Sequence, residues 1–321
     1  MPDVILGLAA GLALFLYGVS RLAAGMRAVA GERMRLLLAR ATRNRVAGVA
    51  TGTVATAILD SSSVTIVMVI ALVDAGLMPA ANALGVTLGA NIGTTVSSQL
   101  LALDVERWSP LLLAAGLLLH VAGRGERWRQ AGLALFGLGL VLFGLHQMGA
   151  AVEPLRESGG FADWMARLER PLVGVAAGAL TTVVVQSSSA TLGIVIALAS
   201  QGLLGLEGAV AVMLGAEIGT CADTLVATAG RSREAVRTGV FHLGFNLVTV
   251  AIGVALLGPL VALARSVGGG PAQEVATAHV AFNVLGVLTA LPLLGAAARA
   301  LERLLPDRPA ADPLTGPPAA A

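Results

Sequence analysis

Shifted by 126 residues, the sequence lies over itself without a gap. "TAILDSSSVTIVMVIALVDAGLMPAANALGVTLGANIGTT" (56–95) then faces "TVVVQSSSATLGIVIALASQGLLGLEGAVAVMLGAEIGTC" (182–221) with about half of the positions identical, and "LYGVS" at 16–20 faces "LFGLH" at 142–146. A constant offset that keeps both SSS and GA-IGT marks an internal duplication, so the fold must be built from two copies of one unit. Each copy carries a polar cluster inside a long apolar stretch: Asp60, Ser61, Ser62 and Ser63 in the first, Gln186, Ser187, Ser188 and Ser189 in the second. A polar group left unpaired in hydrocarbon costs several kcal/mol, so each cluster needs partners or a ligand.

The surroundings are those of a membrane. Of 321 residues 56% are hydrophobic and only 12% charged, and the mean hydropathy is +0.84. Apolar stretches near the roughly 20 residues that span a bilayer as helix recur along the chain, without barrel-type alternation. The 40 glycines suit closely approaching transmembrane helices. The class expected is an all-α integral membrane protein. The net charge of +2 does not point to nucleic acid, because every basic residue is Arg and they lie in short loops. One cysteine, Cys221, excludes an intramolecular disulfide framework. The leader "MPD" lacks a basic n-region and no small-residue cleavage site follows, so the first apolar segment is expected to be a span.

Cytoplasmic loops collect Arg, which orients the copies. Residues 21–45 carry Arg21, Arg27, Arg33, Arg35, Arg40, Arg43 and Arg45 against Glu32, whereas the counterpart 147–171 is slightly acidic, with Glu153, Glu157, Asp163 and Glu169. After the GA-IGT boxes the bias reverses: "DVER" at 104–107 is slightly acidic and "RSREAVR" at 231–237 is basic. The copies therefore read as inverted. The path expected has the N-terminus outside, 4–20 crossing inward, 46–104 ending outside, 109–122 returning, 124–129 inside and 131–148 leaving. Then 172–230 ends inside, 238–264 crosses outward, and 276–298 returns to a cytoplasmic tail with Arg299, Arg303 and Arg308. The segments 46–104 and 172–230 are each about two spans long, so an odd number of crossings calls for a re-entrant hairpin plus one crossing, with the serines near its tip. The Arg-rich stretch over 21–45 reads as an amphipathic interfacial helix. In residue terms, 1–123 is the first inverted repeat, 124–300 the second with two terminal helices, and 301–321 a disordered Pro/Ala-rich tail.

Inverted repeats with broken helices meeting near the midplane are the usual construction of secondary transporters. Hydroxyls, amides and helix-start N–H groups donate to an oxyanion, and hydroxyl, amide and freed carbonyl oxygens coordinate Na⁺. The candidates are Asp60, Ser61, Ser62, Ser63, Thr65, Asn91, Thr94 and Thr95 in the first repeat, and Gln186, Ser187, Ser188, Ser189, Thr191, Glu217, Thr220 and Thr224 in the second. No Arg or His lies within 46–104 or 172–230, so a bound anion would be balanced only by helix dipoles and co-entering cations.

The motifs "QSSSAT" and "GANIGTT", with "HLGFN" at 242–246 and "HVAFN" at 279–283, closely resemble the type II sodium/phosphate cotransporter family across residues 4–298. The resemblance implies Na⁺-driven uptake of inorganic phosphate across the plasma membrane, with the serine segments in re-entrant hairpins that form both sites. On this reading Ser61, Ser62, Ser63, Asn91, Thr94, Gln186, Ser187, Ser188 and Ser189 hold the substrate. Asp60, Thr65, Thr95, Thr191, Glu217, Thr220 and Thr224 hold cations. The protein is expected to be no enzyme and to need no cofactor beyond Na⁺ as coupling ion. Its partners are phosphate, Na⁺ and the bilayer, with a homodimer as a candidate assembly and no nucleic acid. Many bacterial relatives carry a C-terminal PhoU-like domain. The tail "PDRPAADPLTGPPAAA" stands in that place, so a chain without it is expected.

Three positions depart from the family pattern: Asp60 stands for Gln, Glu217 for Asn and Cys221 for Thr. Two ionised carboxylates beside an anion site would repel phosphate, so each is expected to carry a proton or an extra cation, with H⁺ coupling or another small anion as the alternative function. Cys221 reads as a Thr-sized packing residue. His242, His279, Asn246 and Asn283 read chiefly as hydrogen-bonding ties between helices, and Asp223 as either a cation ligand or a helix-end residue. A serine hydrolase built on Ser62 or Ser188 with His242 lacks the GxSxG turn and leaves the duplication unexplained. A channel accounts less well for hydroxyl clusters than a coupled transporter.

Overall fold

The computed structural model describes residues 2–40, 44–103, 108–152, 154 and 159–307, which are nearly all helical and contain no strand. Among the described residues five segments are long and apolar enough to cross a membrane: Val4–Val29, Glu126–Ala151, Leu206–Val226, Arg233–Ala255 and Gly270–Leu304.

The duplicated sequence folds into duplicated structure. In the first copy α2 (Arg45–Leu59) and α3 (Ser62–Asp74) form a helix pair of 15 and 13 residues, and in the second α8 (Pro171–Val185) and α9 (Ser188–Ser200) have the same two lengths. Asn44 starts α2 by accepting from Ala47 N at 2.8 Å, and Pro171 starts α8 at the position where a missing N–H costs nothing. Each pair is followed by a chain reversal with Gly76 or Gly202 at φ of 68° or 66°. There Leu77 N reaches Leu72 O at 2.9 Å and Leu203 N reaches Leu198 O at 3.0 Å, a Schellman closure that requires the left-handed residue.

Next come α4 (Ala80–Ala102) in the first copy and α10 (Leu206–Gly219) with α11 (Cys221–Val226) in the second. The contacts of α4 and α10 on the preceding pair keep the same register. A Cβ on Gly52 would strike the carbonyl of Val86 and one on Gly178 that of Val212, while Gly89 meets Val49 O and Gly215 meets Val175 O. All four pairs differ by the same 126 residues. The backbones approach so closely because no side chain stands between them.

The outer helices are α1 (Pro2–Arg40), α5 (Ser109–Ala122), α6 (Glu126–Val152) and α7 (Gly159–Leu168). Counterparts at the repeat offset, α1 and α6 pack antiparallel: Gly7 against Ala151, Gly11 against Met148, Gly18 against Val141 and Gly25 against Ala134. The chain finishes with α12 (Arg233–Ala255), α13 (Leu257–Val267), α14 (Gly270–Ala290), a 3₁₀ turn at Leu291–Leu293 and α15 (Leu294–Leu304). Arg237 secures the end of α15 by donating to Leu305 O at 2.9 and 2.7 Å. Asp74, closing α3, accepts from Ser232 N at 2.7 Å and Arg231 Nη1 at 3.1 Å. The Ser232 hydrogen bonds foremost, then Arg231, hold its carboxyl below the ordinary range.

Four expectations need correction. The first crossing and the Arg-rich segment are one continuous helix through Arg40, because 21–40 contains strong helix formers and no proline. Residues 41–43 of that segment lie outside the described residues. The crossing expected over 238–264 ends at Ala255, since Pro259 lacks an N–H for the Ala255 carbonyl and its ring crowds it. Pro292 likewise interrupts 276–298 with the 3₁₀ turn. Helix α15 runs to Leu304, so 301–304 is ordered, whereas 308–321 of the expected tail lies outside the described residues.

Candidate functional site

The two serine clusters sit at the two sharp bends of the chain. Asp60 and Gln186 have φ of 53° and 56°, and they are the positive-φ residues other than glycine among the described residues. The left-handed conformation costs an L-residue roughly 1–2 kcal/mol, and such outliers concentrate where function over-determines the backbone. Immediately after the bend Ser61 and Ser187 cap α3 and α9, accepting from Val64 N at 3.2 Å and Ala190 N at 3.1 Å. Across each bend a threonine pair closes: Thr56 Oγ1 donates to Thr65 Oγ1 at 2.9 Å, and Thr182 Oγ1 to Thr191 Oγ1 at 2.8 Å.

The bends come together. Asp60, Ser97 and Ser189 line one cavity of about 60 Å³, whose remaining walls are apolar side chains from α1, α2, α4 and α6. Ser97 donates to Asp60 Oδ1. Neither Ser97 nor Ser98 was among the residues expected from sequence. The signal was present, since they stand 126 positions before Asp223 and Thr224.

A second polar cluster joins α4, α10 and α14. His279, fully buried, places Nε2 at 2.7 Å from Glu217 Oε1 and Nδ1 at 2.8 Å from Ser98 Oγ. A carboxylate only accepts, so with Glu217 ionised Nε2 carries the hydrogen. Asn283 Nδ2 donates to the same Glu217 oxygen at 2.9 Å. Nearby in sequence, His242 Nδ1 meets Thr224 Oγ1 at 2.9 Å and Asn246 Nδ2 donates to the buried Cys221 Sγ at 3.2 Å. The two HxxFN motifs therefore tie α12 and α14 to the third helices of the repeats. No His lies within either repeat core, and α12 and α14 bring two imidazoles in from outside. The Oδ1 atoms of Asn246 and Asn283 are buried without a partner and can only accept.

Hydrogen-bond donors sort the candidates. The hydroxyls of Thr65, Thr94, Thr95, Thr191, Thr220 and Thr224 all donate to carbonyls of the preceding turn, at 2.8–3.2 Å. Asn91 Nδ2 donates to Thr87 O at 3.0 Å. The threonines still offer oxygen lone pairs, and Asn91 offers its Oδ1 and a second Nδ2 hydrogen. By contrast the hydroxyls of Ser62, Ser63, Ser188 and Ser189 and the exposed amide of Gln186 make no hydrogen bond among the described residues, and the hydroxyl hydrogens of Ser61 and Ser187 are unspent. Asp223 is half-buried on α11 and likewise makes no side-chain hydrogen bond there.

The Na⁺/Pi-cotransporter family profile matches residues 14–150 and again 157–294, so each match contains one serine bend. The protein YqeW of Bacillus subtilis (strain 168) is 28% identical over 306 residues, covering 95% of this chain and 99% of its own. YjbB of Escherichia coli (strain K12), named as a candidate inorganic phosphate export protein, is 28% identical over 313 residues; 96% of this chain is covered but only 57% of the relative. The sheep (Ovis aries) sodium-dependent phosphate transport protein 2A is 33% identical over 143 residues, 40% of this chain and 22% of that one. No solved structure matches the chain. With its profile repeated across both halves, the chain belongs to the Na⁺/Pi-cotransporter family, whose members are membrane transporters.

Proposed function

We propose that this protein is a Na⁺-coupled symporter of inorganic phosphate in the plasma membrane, working as two inverted repeats whose bends are re-entrant hairpins. The observation that carries the reading is the cavity shared by Asp60 of the first bend and Ser189 of the second. Antiparallel pairing of α1 with its own counterpart α6 supports the inversion, since a two-fold axis across these helices turns one repeat over relative to the other. Non-helical backbone at membrane depth is tolerated where protein or a water-filled cavity covers it.

Chemistry divides the labour. Ser61, Ser62, Ser63, Gln186, Ser187, Ser188 and Ser189 keep donors available for phosphate oxygens, beside the N–H groups that begin α3 and α9. Thr94, whose donor is spent, joins Thr65, Thr95, Thr191, Thr220 and Thr224 as an oxygen ligand for cations, while Asn91 keeps one amide hydrogen for the anion. The N-terminus lies outside and α15 in the cytoplasm, a reading that the basic loops support. Transport runs inward under an inward Na⁺ gradient, whereas the longer relative YjbB is named for export.

The second reading, proton coupling, is favoured by the two carboxylates at Asp60 and Glu217. Reconstituted protein in liposomes, supplied with labelled phosphate, separates the cases. An imposed Na⁺ gradient is expected to drive uptake at least about tenfold above the level with no gradient, a difference of one decade in the coupled equilibrium. Uptake driven by a proton gradient alone would establish the second reading, and uptake indifferent to both would contradict coupling altogether.

A further inference from the structure

We infer that His279 is a positioning residue of the transport site: its two ring nitrogens join the third helix of one repeat to that of the other, and this tie sets how the two serine bends face each other. The cradle it serves rests on the phosphate reading, whereas the tie itself is independent of what is carried.

Helices α12 and α14 occupy equivalent places, although the repeat offset does not relate them. Helix α14 packs on α4, α9 and α10, and α12 packs on α10, α11, α3 and α4, which is the same set with the repeats exchanged. Each carries an HxxFN motif. His242 Nδ1 meets Thr224 Oγ1 at 2.9 Å and His279 Nδ1 meets Ser98 Oγ at 2.8 Å, and Ser98 and Thr224 are 126 positions apart. Each histidine therefore anchors one repeat in the same way. The equivalence ends at the other nitrogen: His242 Nε2 stays within the second repeat, 4.0 Å from Cys221 Sγ, and Asn246 donates to that same sulfur at 3.2 Å. His279 Nε2 instead crosses to Glu217 at 2.7 Å, where Asn283 joins it at 2.9 Å. The residue that receives them explains the difference, since Glu217 stands where the first repeat has the shorter Asn91, whose amide turns back to Thr87 O of its own helix at 3.0 Å.

Both ends of the tie lead to a bend. Ser98 follows Ser97, which donates to Asp60, the left-handed residue of the first bend. Glu217 lies two positions before Gly219, where a Cβ would strike the Cβ of Thr182, and Thr182 donates to Thr191 across the second bend at 2.8 Å. A run of contacts thus joins Asp60 to Thr191 through one imidazole. His279 is fully buried and its partners Ser98 and Glu217 are nearly so, which keeps water from replacing these bonds. Buried polar bonds that are satisfied specify one arrangement of the helices they join, and apolar packing alone tolerates several. A binding constellation needs its groups held within about 0.5 Å, and two bends borne on separate repeats have that only if something fixes one repeat against the other.

Two substitutions each cut the tie at one end. His279→Asn puts an amide near the place of Nδ1 and keeps only Ser98, and His279→Gln puts one near the place of Nε2 and keeps only Glu217. The full chain in lipid nanodiscs without phosphate is spin-labelled through Leu103→Cys and Glu207→Cys, exposed positions at the ends of α4 and α10; Cys221 is buried and stays unlabelled. One narrow distance distribution is expected with His279 in place, and a shifted or broadened one in both variants. Unchanged distributions would overturn the tie, and a change in one variant alone would mean that His279 serves a single repeat and would overturn it too. Should both variants fail to fold, Ser98→Ala, which leaves His279 on Glu217, decides in their place. In liposomes the same variants are expected to raise the half-saturating phosphate concentration at least about tenfold while keeping the maximal rate, because placement is lost and the groups that touch phosphate are not. A lower maximal rate at an unchanged half-saturating concentration would overturn the positioning role. Absent phosphate uptake with His279 in place would remove the phosphate reading, and the label distances would still decide the tie.

Discussion

Alanine at His279 is expected to lower stability by about 1–3 kcal/mol, the range for leaving a buried polar group without its hydrogen-bond partner. The imidazole touches Glu217 at 2.7 Å and Ser98 at 2.8 Å, so its loss unhooks α14 from both repeats and leaves Glu217 with Asn283 alone. Most of the cost arises from the acceptor left behind, since Glu217 is buried and a single amide cannot replace the lost donor. Adding Glu217→Gln to the alanine variant should therefore restore part of the loss, because a neutral amide tolerates that site better than a carboxylate. Thermal unfolding in detergent micelles checks the pair. An unimproved double variant would mean that His279 acts by filling volume alone.

A valine at Gly215 should prevent the second repeat from assembling. Its Cβ would lie on the carbonyl of Val175, and no side chain is present to swing away; the two helices must separate. Overpacking of a core costs about 1–3 kcal/mol when side chains can adjust, and more when backbone itself is displaced. The same change at Gly89, which meets Val49 O, should fail equally if the copies are held in one register. Gly244 is the control. It lies exposed in α12 with open space around it, so alanine there should be neutral or stabilising by up to about 1 kcal/mol. The yield of monodisperse protein after extraction measures all three.

The repeat offset made most of the fold legible. Lengths of α2 and α8, and of α3 and α9, agree because every local determinant recurs: the left-handed residue, the capping serine, the closing glycine. The later breaks escaped because Pro259 and Pro292 lie in uniformly apolar runs, where hydropathy alone does not distinguish a span from two helices. The bends were visible as polar clusters, and Ser98 could have been found as the counterpart of Thr224. The contact of His279 with Glu217 could not, since 62 positions separate them and nothing local encodes which helices meet. Donor availability was equally hidden: a threonine reads the same whether or not its hydrogen is spent on the preceding turn. That distinction moves Thr94 from the anion to the cation side of the proposal.

Whether the two bends hold one phosphate between them is tested most directly by Na⁺-driven phosphate uptake in liposomes carrying Ser62→Ala, Ser188→Ala or both. A single shared cradle predicts that either substitution alone reduces uptake by about 100-fold and that the double variant is scarcely worse, as for residues that act as a unit. Single variants that each keep about half of the uptake, with losses that multiply in the double, would mean two independent sites and would contradict a common cradle.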